Sequence, residues 1–343
     1  MEILSFKERP SISETADKIC RFVEENVSDL RAGNWQKAAE SSKQNIELLQ
    51  LGRNAVYRIR GDTRWYLKMP CNGKTGGIEG EINGFRYMND ALADLGFYQH
   101  PAAVRASLEN TYLLTAEVPG KQLNYILYRA LLRPVFTQEN SIKEIFHRCG
   151  IILGKFHKEG QGIDLPPVRG LQATLQRRLS KVKSLDMMGE KISRWFGDGI
   201  DVDGDHTIVH GNCTFRNILV NGYDLSIIDF ETCGSGSRYN DLARMCSDII
   251  LCRTAIAFPW KRAYRALAAF LKGYGEIFPV EREQLLKYIA LYIFDRYIQV
   301  YQIKKKKESI SGIPVSASRL KGLHQQLLAE DFDGVFRQAA SFV

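Results

Sequence analysis

Apolar and polar positions recur at two different periods along this chain, and the change of period divides it. Ile12, Ile19, Phe22, Val23 and Val27 follow helical spacing, with Ser11 and Glu14 in capping-box order ahead of them, which predicts a helix over 11–28. From 45 to 69 the period falls to two. Breaks at Gly52-Arg53-Asn54 and Gly61-Asp62 predict three strands joined by tight turns. Helical spacing returns over 79–95, where Glu81, Phe85, Met88 and Leu92 share a face. Residues 102–118 read as a hairpin turning at Glu109-Asn110, and Pro119-Gly120 then punctuates the apolar run. Beyond it helical patterns dominate, over 122–133, 141–158, a basic stretch from Gln172 to Trp195, 260–302 and 316–341.

One stretch interrupts the helical half. Ile218-Leu219-Val220 and Leu225-Ser226-Ile227-Ile228 flank Asn221-Gly222, a strong hairpin signal. Folding there sets position 217 roughly opposite 228, so Asn217 and Asp229 become neighbours at the open end. An amide oxygen beside a carboxylate is a plausible ligand pair for Mg²⁺, which takes few protein ligands plus phosphate and water. Five residues before Asn217 lies Asn212, in His210-Gly211-Asn212.

Two further residues stand out. The strand alternation puts Tyr66 and Lys68 on one face, and Glu81 sits on an apolar helix stripe. A buried carboxylate is costly unless paired, and Lys68 is the candidate partner. Glu79 lies off that stripe. Gly73-Lys74-Thr75 looks like the end of a Walker A loop, but position 68, where that motif needs its first glycine, is lysine.

The pattern His210-Gly211-Asn212, Asn217, Ile228-Asp229-Phe230-Glu231 and Asp241-Leu242-Ala243 resembles the catalytic core of the aminoglycoside phosphotransferase and choline kinase superfamily. The resemblance implies an α+β, bilobal, protein-kinase-like fold: an N-terminal helical appendage over 1–44, a small antiparallel nucleotide-binding lobe over 45–118, and a large helical lobe over 119–343. It further implies that Lys68, braced by Glu81, holds nucleotide phosphates, and that the turn at Arg53 and Asn54 is the phosphate loop. Backbone groups near Ala116 and Val118 would meet the nucleobase. Asn217 and Asp229 would hold Mg²⁺, and His210 would buttress the catalytic loop. Asp241 would anchor it, and Arg216 could face the acceptor. The departure is Asn212, which stands where the family carries its catalytic aspartate.

Composition narrows the partners. Of 343 residues, 45% are apolar and 25% charged, ordinary for a globular protein. The net charge of +8 favours anionic ligands over a polycationic aminoglycoside. No motif supports specific nucleic-acid binding. Seven scattered cysteines without CxxC pairs fit a reducing compartment. The start, MEILSFKERP, carries charges and no apolar core, so neither a signal peptide nor a transmembrane helix is expected, and the reading is cytoplasmic. Lys304-Lys305-Lys306-Lys307 sits at the low edge of a polybasic membrane contact. Oligomeric state leaves no sequence signal. The expectation is an ATP- or GTP-dependent phosphotransferase with Mg²⁺, acting on a small-molecule hydroxyl such as a sugar or glycolipid precursor. The rival is a nucleotide-binding pseudokinase, because asparagine cannot serve as a base near neutral pH.

Overall fold

The computed structural model describes residues 2–3, 10–32, 36, 40, 45–51, 54–61, 63–71, 77–102, 104–107, 111–132, 138–168, 171–180, 206–252, 260–297, 309–310 and 313–314. The chain forms two compact units, Met1–Pro119 with Asp229–Cys233, and Gly120–Ile228 with Gly234–Val343. The predicted turn at Gly52-Arg53, the Gly73-Lys74-Thr75 segment, the Glu109-Asn110 turn, the lysine run at 304–307 and the helices expected over 316–341 lie outside the described residues.

The first unit is built on a six-stranded antiparallel sheet. Its strands are β1 (Glu2–Ile3), β2 (Asn45–Leu51), β3 (Asn54–Arg60), β4 (Arg64–Pro70), β5 (Val104–Ser107) and β6 (Tyr112–Ala116), in the order β1-β5-β6-β4-β3-β2. Alternation along β4 does what its period dictates. Trp65, Leu67 and Met69 are fully buried, while Tyr66 and Lys68 point the other way and stay half-buried. The first helix, α1 (Pro10–Glu25), covers the Trp65 face, and its Ala16, Ile19, Phe22 and Val23 join the same core as Tyr57, Trp65, Leu67 and Leu114. Polar contacts fix its position. Buried Arg105 donates to Ser13 Oγ at 2.9 Å and pairs with Asp17 at 3.4 Å, and Tyr112 donates to Glu24 at 3.2 Å. The helix begins at Pro10, so Ser11 lies inside the first turn and the capping-box reading is corrected. Proline's fixed φ suits the first helical position, and Glu14 turns to Lys18 at 2.7 Å instead.

After α2 (Val27–Arg31) comes α3 (Ile78–Ala91), ending four residues before the expected 95. It carries Glu81, and Gly80 and Gly84 lie within its 14 residues, with Gly77 at its N-cap. A helix-interior glycine costs about 1 kcal/mol relative to alanine, so two in so short a helix call for a reason in the packing.

The second unit is mainly helical: α4 (Leu123–Leu132), α5 (Gln138–Glu159), α6 (Leu171–Leu179), α7 (Tyr239–Cys252), α8 (Trp260–Gly275) and α9 (Arg282–Tyr297). Short strands punctuate it, namely β7 (Lys121–Gln122), β8 (His206–Val209), β9 (Ile218–Asn221), β10 (Asp224–Ile227) and β11 (Gly234–Ser237), with a small pair β12 (Ser309–Ile310) and β13 (Ile313–Pro314). Of the basic stretch expected to be helical from Gln172 to Trp195, the described part forms α6 as far as Leu179, and 181–195 lie outside the described residues. α5 and α8 cross at glycines. A Cβ on Gly150 would run into the Phe270 carbonyl oxygen and lie 2.6 Å from the Tyr274 nitrogen, and one on Gly273 would run into the His147 carbonyl oxygen. Backbone cannot swing aside as a side chain can. Gly150→Ala or Gly273→Ala is therefore expected to destabilise by about 3 kcal/mol, read by urea denaturation. Gly275→Ala, with nothing within 4 Å of its Cβ, is the near-neutral comparison.

Candidate active site

In the first unit, three carboxylates converge on one ammonium. Lys68 Nζ lies 2.7 Å from Glu81 Oε2, 2.9 Å from Asp229 Oδ1 and 3.3 Å from Glu231 Oε2. The β4 alternation aims Lys68 off the core face, and the α3 stripe buries Glu81. Burial works against the Lys68 ammonium, but Glu81 and Asp229 outweigh it and raise its pKa. Burial likewise pushes the Glu81 carboxyl up to about 7, against the pull of Lys68. Asn54, buried at the start of β3, donates from Nδ2 to Glu231 Oε2 at 3.0 Å. Asp229 has φ of +67°, the left-handed region that residues other than glycine rarely occupy. Glu231 stands in the Ile228–Glu231 motif, but the sequence reading gives it no role. Its signal was a second carboxylate two residues past Asp229. Arg53 lies outside the described residues. Ala116 pairs with Trp65 on β4, Glu117 N donates to Arg64 O at 2.8 Å, and Val118 follows half-buried.

In the second unit, the hairpin pairs Ile218 with Ile227 and Asn221 with Asp224. The two turn residues are thus Gly222-Tyr223, one position later than the Asn221-Gly222 signal. Gly222 takes φ of +64°, the first-position glycine of a type II′ turn, whereas a type I′ turn would force Tyr223 to positive φ too. The register sets Asn217 against Ile228, whose N–H donates to Asn217 O at 2.9 Å. β7, unforeseen from sequence, adds a third strand along β9.

Ahead of the hairpin, Gly211 at φ +74° turns the chain so that Asn212 N donates to His210 Nδ1 at 3.2 Å. That assigns the proton to His210 Nε2, which donates to Ile228 O at 3.0 Å. Asp241 Oδ2 accepts from His210 N at 2.6 Å and from buried His157 at 3.4 Å. Burial tends to raise the Asp241 carboxyl, but the hydrogen bonds it accepts from His157 and the His210 backbone outweigh it and lower its pKa. Burial lowers the His157 pKa and keeps that ring neutral. Its Nδ1 bonds Tyr274 OH at 2.9 Å. Asn217 Nδ2 donates to Asn212 O at 3.0 Å, which leaves Oδ1 as the free oxygen of that amide. The Asn212 side chain itself is half-buried and makes no hydrogen bond among the described residues. Arg216 is exposed and likewise unpartnered.

A small antiparallel sheet carrying a lysine–glutamate pair, with a helical unit carrying a His-Gly-Asn loop and an Asn-to-Asp hairpin, defines the protein-kinase-like class. The chain belongs to the phosphotransferase enzyme family, whose model matches residues 46–283. A choline/ethanolamine kinase family protein from Mesorhizobium loti shares 15% identity over 94% of this chain and 99% of its own, with a TM-score of 0.54. Aminoglycoside phosphotransferase APH(3'')-Id from Streptomyces rimosus shares 15% over 77% and 97%, with a TM-score of 0.52. APH(2")-IIa, solved as a ternary complex with streptomycin and ATP, shares 16% over 79% and 93%, also at 0.52. At these identities the likeness is one of fold. No curated protein matches the chain. No helix among the described residues is long and apolar enough to cross a membrane.

Proposed function

We propose that the protein transfers the γ-phosphoryl group of ATP or GTP to a hydroxyl of a small molecule, with sugars and glycolipid precursors as the acceptor class. The convergence of Glu81, Asp229 and Glu231 on Lys68 carries this reading. One ammonium among three carboxylates leaves a surplus of negative charge that a bound cation would neutralise. Among the described residues no three His, Cys, Asp or Glu form a metal cage. Mg²⁺ binds through one or two protein oxygens together with phosphate and water. Asn217 Oδ1 and the Asp229 carboxylate are the oxygens proposed to hold it. When bound, Mg²⁺ neutralises charge on the phosphates.

The remaining roles follow from the chain's own groups. Lys68, braced by Glu81, binds nucleotide phosphates, with the turn at Arg53 and Asn54 beside them and the Ala116–Val118 backbone at the nucleobase. His210, through Nε2 to Ile228 O and Nδ1 to Asn212 N, ties the Asn212 loop to the hairpin. Arg216 is proposed to face the acceptor. The acceptor oxygen bonds to the γ-phosphorus as the bond to the diphosphate breaks, and the diphosphate keeps that electron pair. Asn212 orients the acceptor hydroxyl through its amide oxygen but takes no proton. In a loose transition state that proton leaves late, to a phosphoryl oxygen or to water, so the reaction is slowed without being stopped. The uncharged Asn212 also favours a second reading, a pseudokinase that binds nucleotide and signals by conformation.

Mg²⁺-ATP at 100 times its Kd is expected to stabilise the fold by roughly 2.7 kcal/mol. Asp229→Ala should abolish the Mg²⁺-dependent part. Thermal shift with each metal and nucleotide checks both, and an unmoved midpoint with ATP and GTP would refute the nucleotide site. Transfer from γ-labelled ATP then separates the enzyme from the pseudokinase.

A further inference from the structure

We propose that the glycine face of α3 is a seat that sets the Asp229–Cys233 segment, so that Gly80 and Gly84 are positioning residues for the Asp229 and Glu231 carboxylates. Gly77, Gly80 and Gly84 are spaced by three and four, on the same side of the helix as Glu81. Each meets a different part of the segment. A Cβ on Gly84 would run into Phe230 Cβ and lie 2.6 Å from its Cγ. One on Gly80 would sit 3.1 Å from the Glu231 carbonyl oxygen and 3.4 Å from that of Cys233. One on Gly77 would sit 2.7 Å from Glu231 Cγ. Phe85 adds an edge-to-face contact to Phe230 at 5.2 Å, and Cys233 N closes the segment by donating to Phe230 O at 2.8 Å.

The backbone needs such a seat. Asp229 holds φ at +67°, and a residue other than glycine stays in that region only where its surroundings over-determine it. Phe230 is the adjoining anchor. With its ring pressed on Gly84, the chain turns so that Asp229 Oδ1 reaches Lys68, and Glu231 reaches both Lys68 and Asn54. A side chain at 84 would lift Phe230 and turn Asp229 with it. The glycine face thus explains residues that weaken the helix locally. The ordinary alternative, glycines that merely loosen α3, predicts the opposite sign, because alanine would then strengthen the helix.

The role in metal and nucleotide binding rests on the proposed function, whereas the seat itself is read in the free protein. Gly77→Ala, Gly80→Ala and Gly84→Ala are compared with Gly96→Ala, whose Cβ meets nothing within 4 Å. Amide hydrogen exchange in the ligand-free protein is expected to quicken at 230–233 in Gly84→Ala by about ten-fold or more, with β3 and β4 unchanged. Mg²⁺-dependent ATP affinity should fall roughly 10–100-fold, the usual cost of a lost supporting contact, while metal-free ATP binding hardly moves. Gly80→Ala, whose contacts ask for shifts of a few tenths of an ångström, should show the same pattern more weakly, and it stands in if Gly84→Ala does not fold. Gly77→Ala meets only a flexible side chain and should change least. Alanine at 80 and 84 that raises the melting temperature and leaves exchange at the wild-type rate overturns the seat. Faster exchange with wild-type Mg²⁺ dependence overturns the positioning role. If the wild type binds no Mg²⁺-ATP, the positioning role falls with the proposed function, and the exchange rates alone decide the seat.

Discussion

Lys68→Met is expected to cut phosphoryl transfer by roughly 10²–10³-fold, the usual loss when one preorganised donor to developing charge is removed. It should also destabilise the fold, for a separate reason. Glu81 is buried, and Lys68 is its 2.7 Å partner. Stripping one member from a buried ion pair costs roughly 3–5 kcal/mol, because the other is left uncompensated. The carboxylate can escape by taking a proton. Burial already holds its pKa at about 7 with the lysine in place, and losing the lysine moves it higher. A carboxyl whose folded pKa exceeds its unfolded value binds more protons folded than unfolded between the two. Its contribution is therefore present at low pH and is lost as pH rises toward the folded pKa. Between about pH 6 and about pH 8, the urea midpoint of Lys68→Met should thus fall more steeply than that of the wild type. Adding Glu81→Gln should flatten the profile and return the stability, but not the rate. A double variant that regains the rate would show that Lys68 serves only to neutralise Glu81. A single variant as stable as wild type at the alkaline end would show that Glu81 does not depend on the lysine.

What the sequence made legible and what it hid follow from the range of the interactions. The Lys68–Glu81 pair could be read locally, because a carboxylate on an apolar stripe needs a partner and the strand alternation offered one. The β9–β10 pairing could be read too, with its register, because apolar strands fix which residues face each other. Its turn slipped by one position, since Gly222 serves best as the first turn residue when Tyr223 follows. Two-residue β7 and the Gly-Ser strand β11 have no period to detect. The start of α1 was misjudged because Ser11 and Glu14 imitate a capping box, while Pro10 occupies the true first turn.

Glu231 and the glycine face of α3 illustrate a harder limit. From sequence, a glycine within a helix reads as a weakness, and Glu231 is a letter of the Ile228–Glu231 motif with no role attached. Both acquire meaning only when the segment at 229–233 lies on residues 77–84, a contact between stretches far apart in the chain. The same holds for His157. It is buried against Asp241 and Tyr274, which come to it from distant stretches of the chain. There it shares the Asp241 carboxylate with the backbone N–H of His210.

Asn212→Asp is expected to raise kcat toward the true acceptor by about 10²-fold or more, the ordinary worth of a general base. The structure makes this substitution a clean one. Both backbone polar groups of Asn212 are occupied, N–H by His210 Nδ1 and C=O by Asn217 Nδ2, while the side chain makes no hydrogen bond among the described residues. Asparagine and aspartate are nearly isosteric, so the loop has no packing reason to move. The new carboxylate acts only when the hydroxyl proton leaves. Its effect therefore belongs in kcat, and nucleotide Kd should shift by no more than about three-fold. The measurement is a phosphotransfer assay of both forms, on an acceptor chosen by thermal shift from a metabolite panel with Mg²⁺ and a non-hydrolysable nucleotide present. Equal and robust rates would mean that another group takes the proton and that Asn212 only orients the acceptor. Inactivity of both forms with nucleotide binding intact would favour the pseudokinase, since an aspartate restored at this position would then find no acceptor beside it.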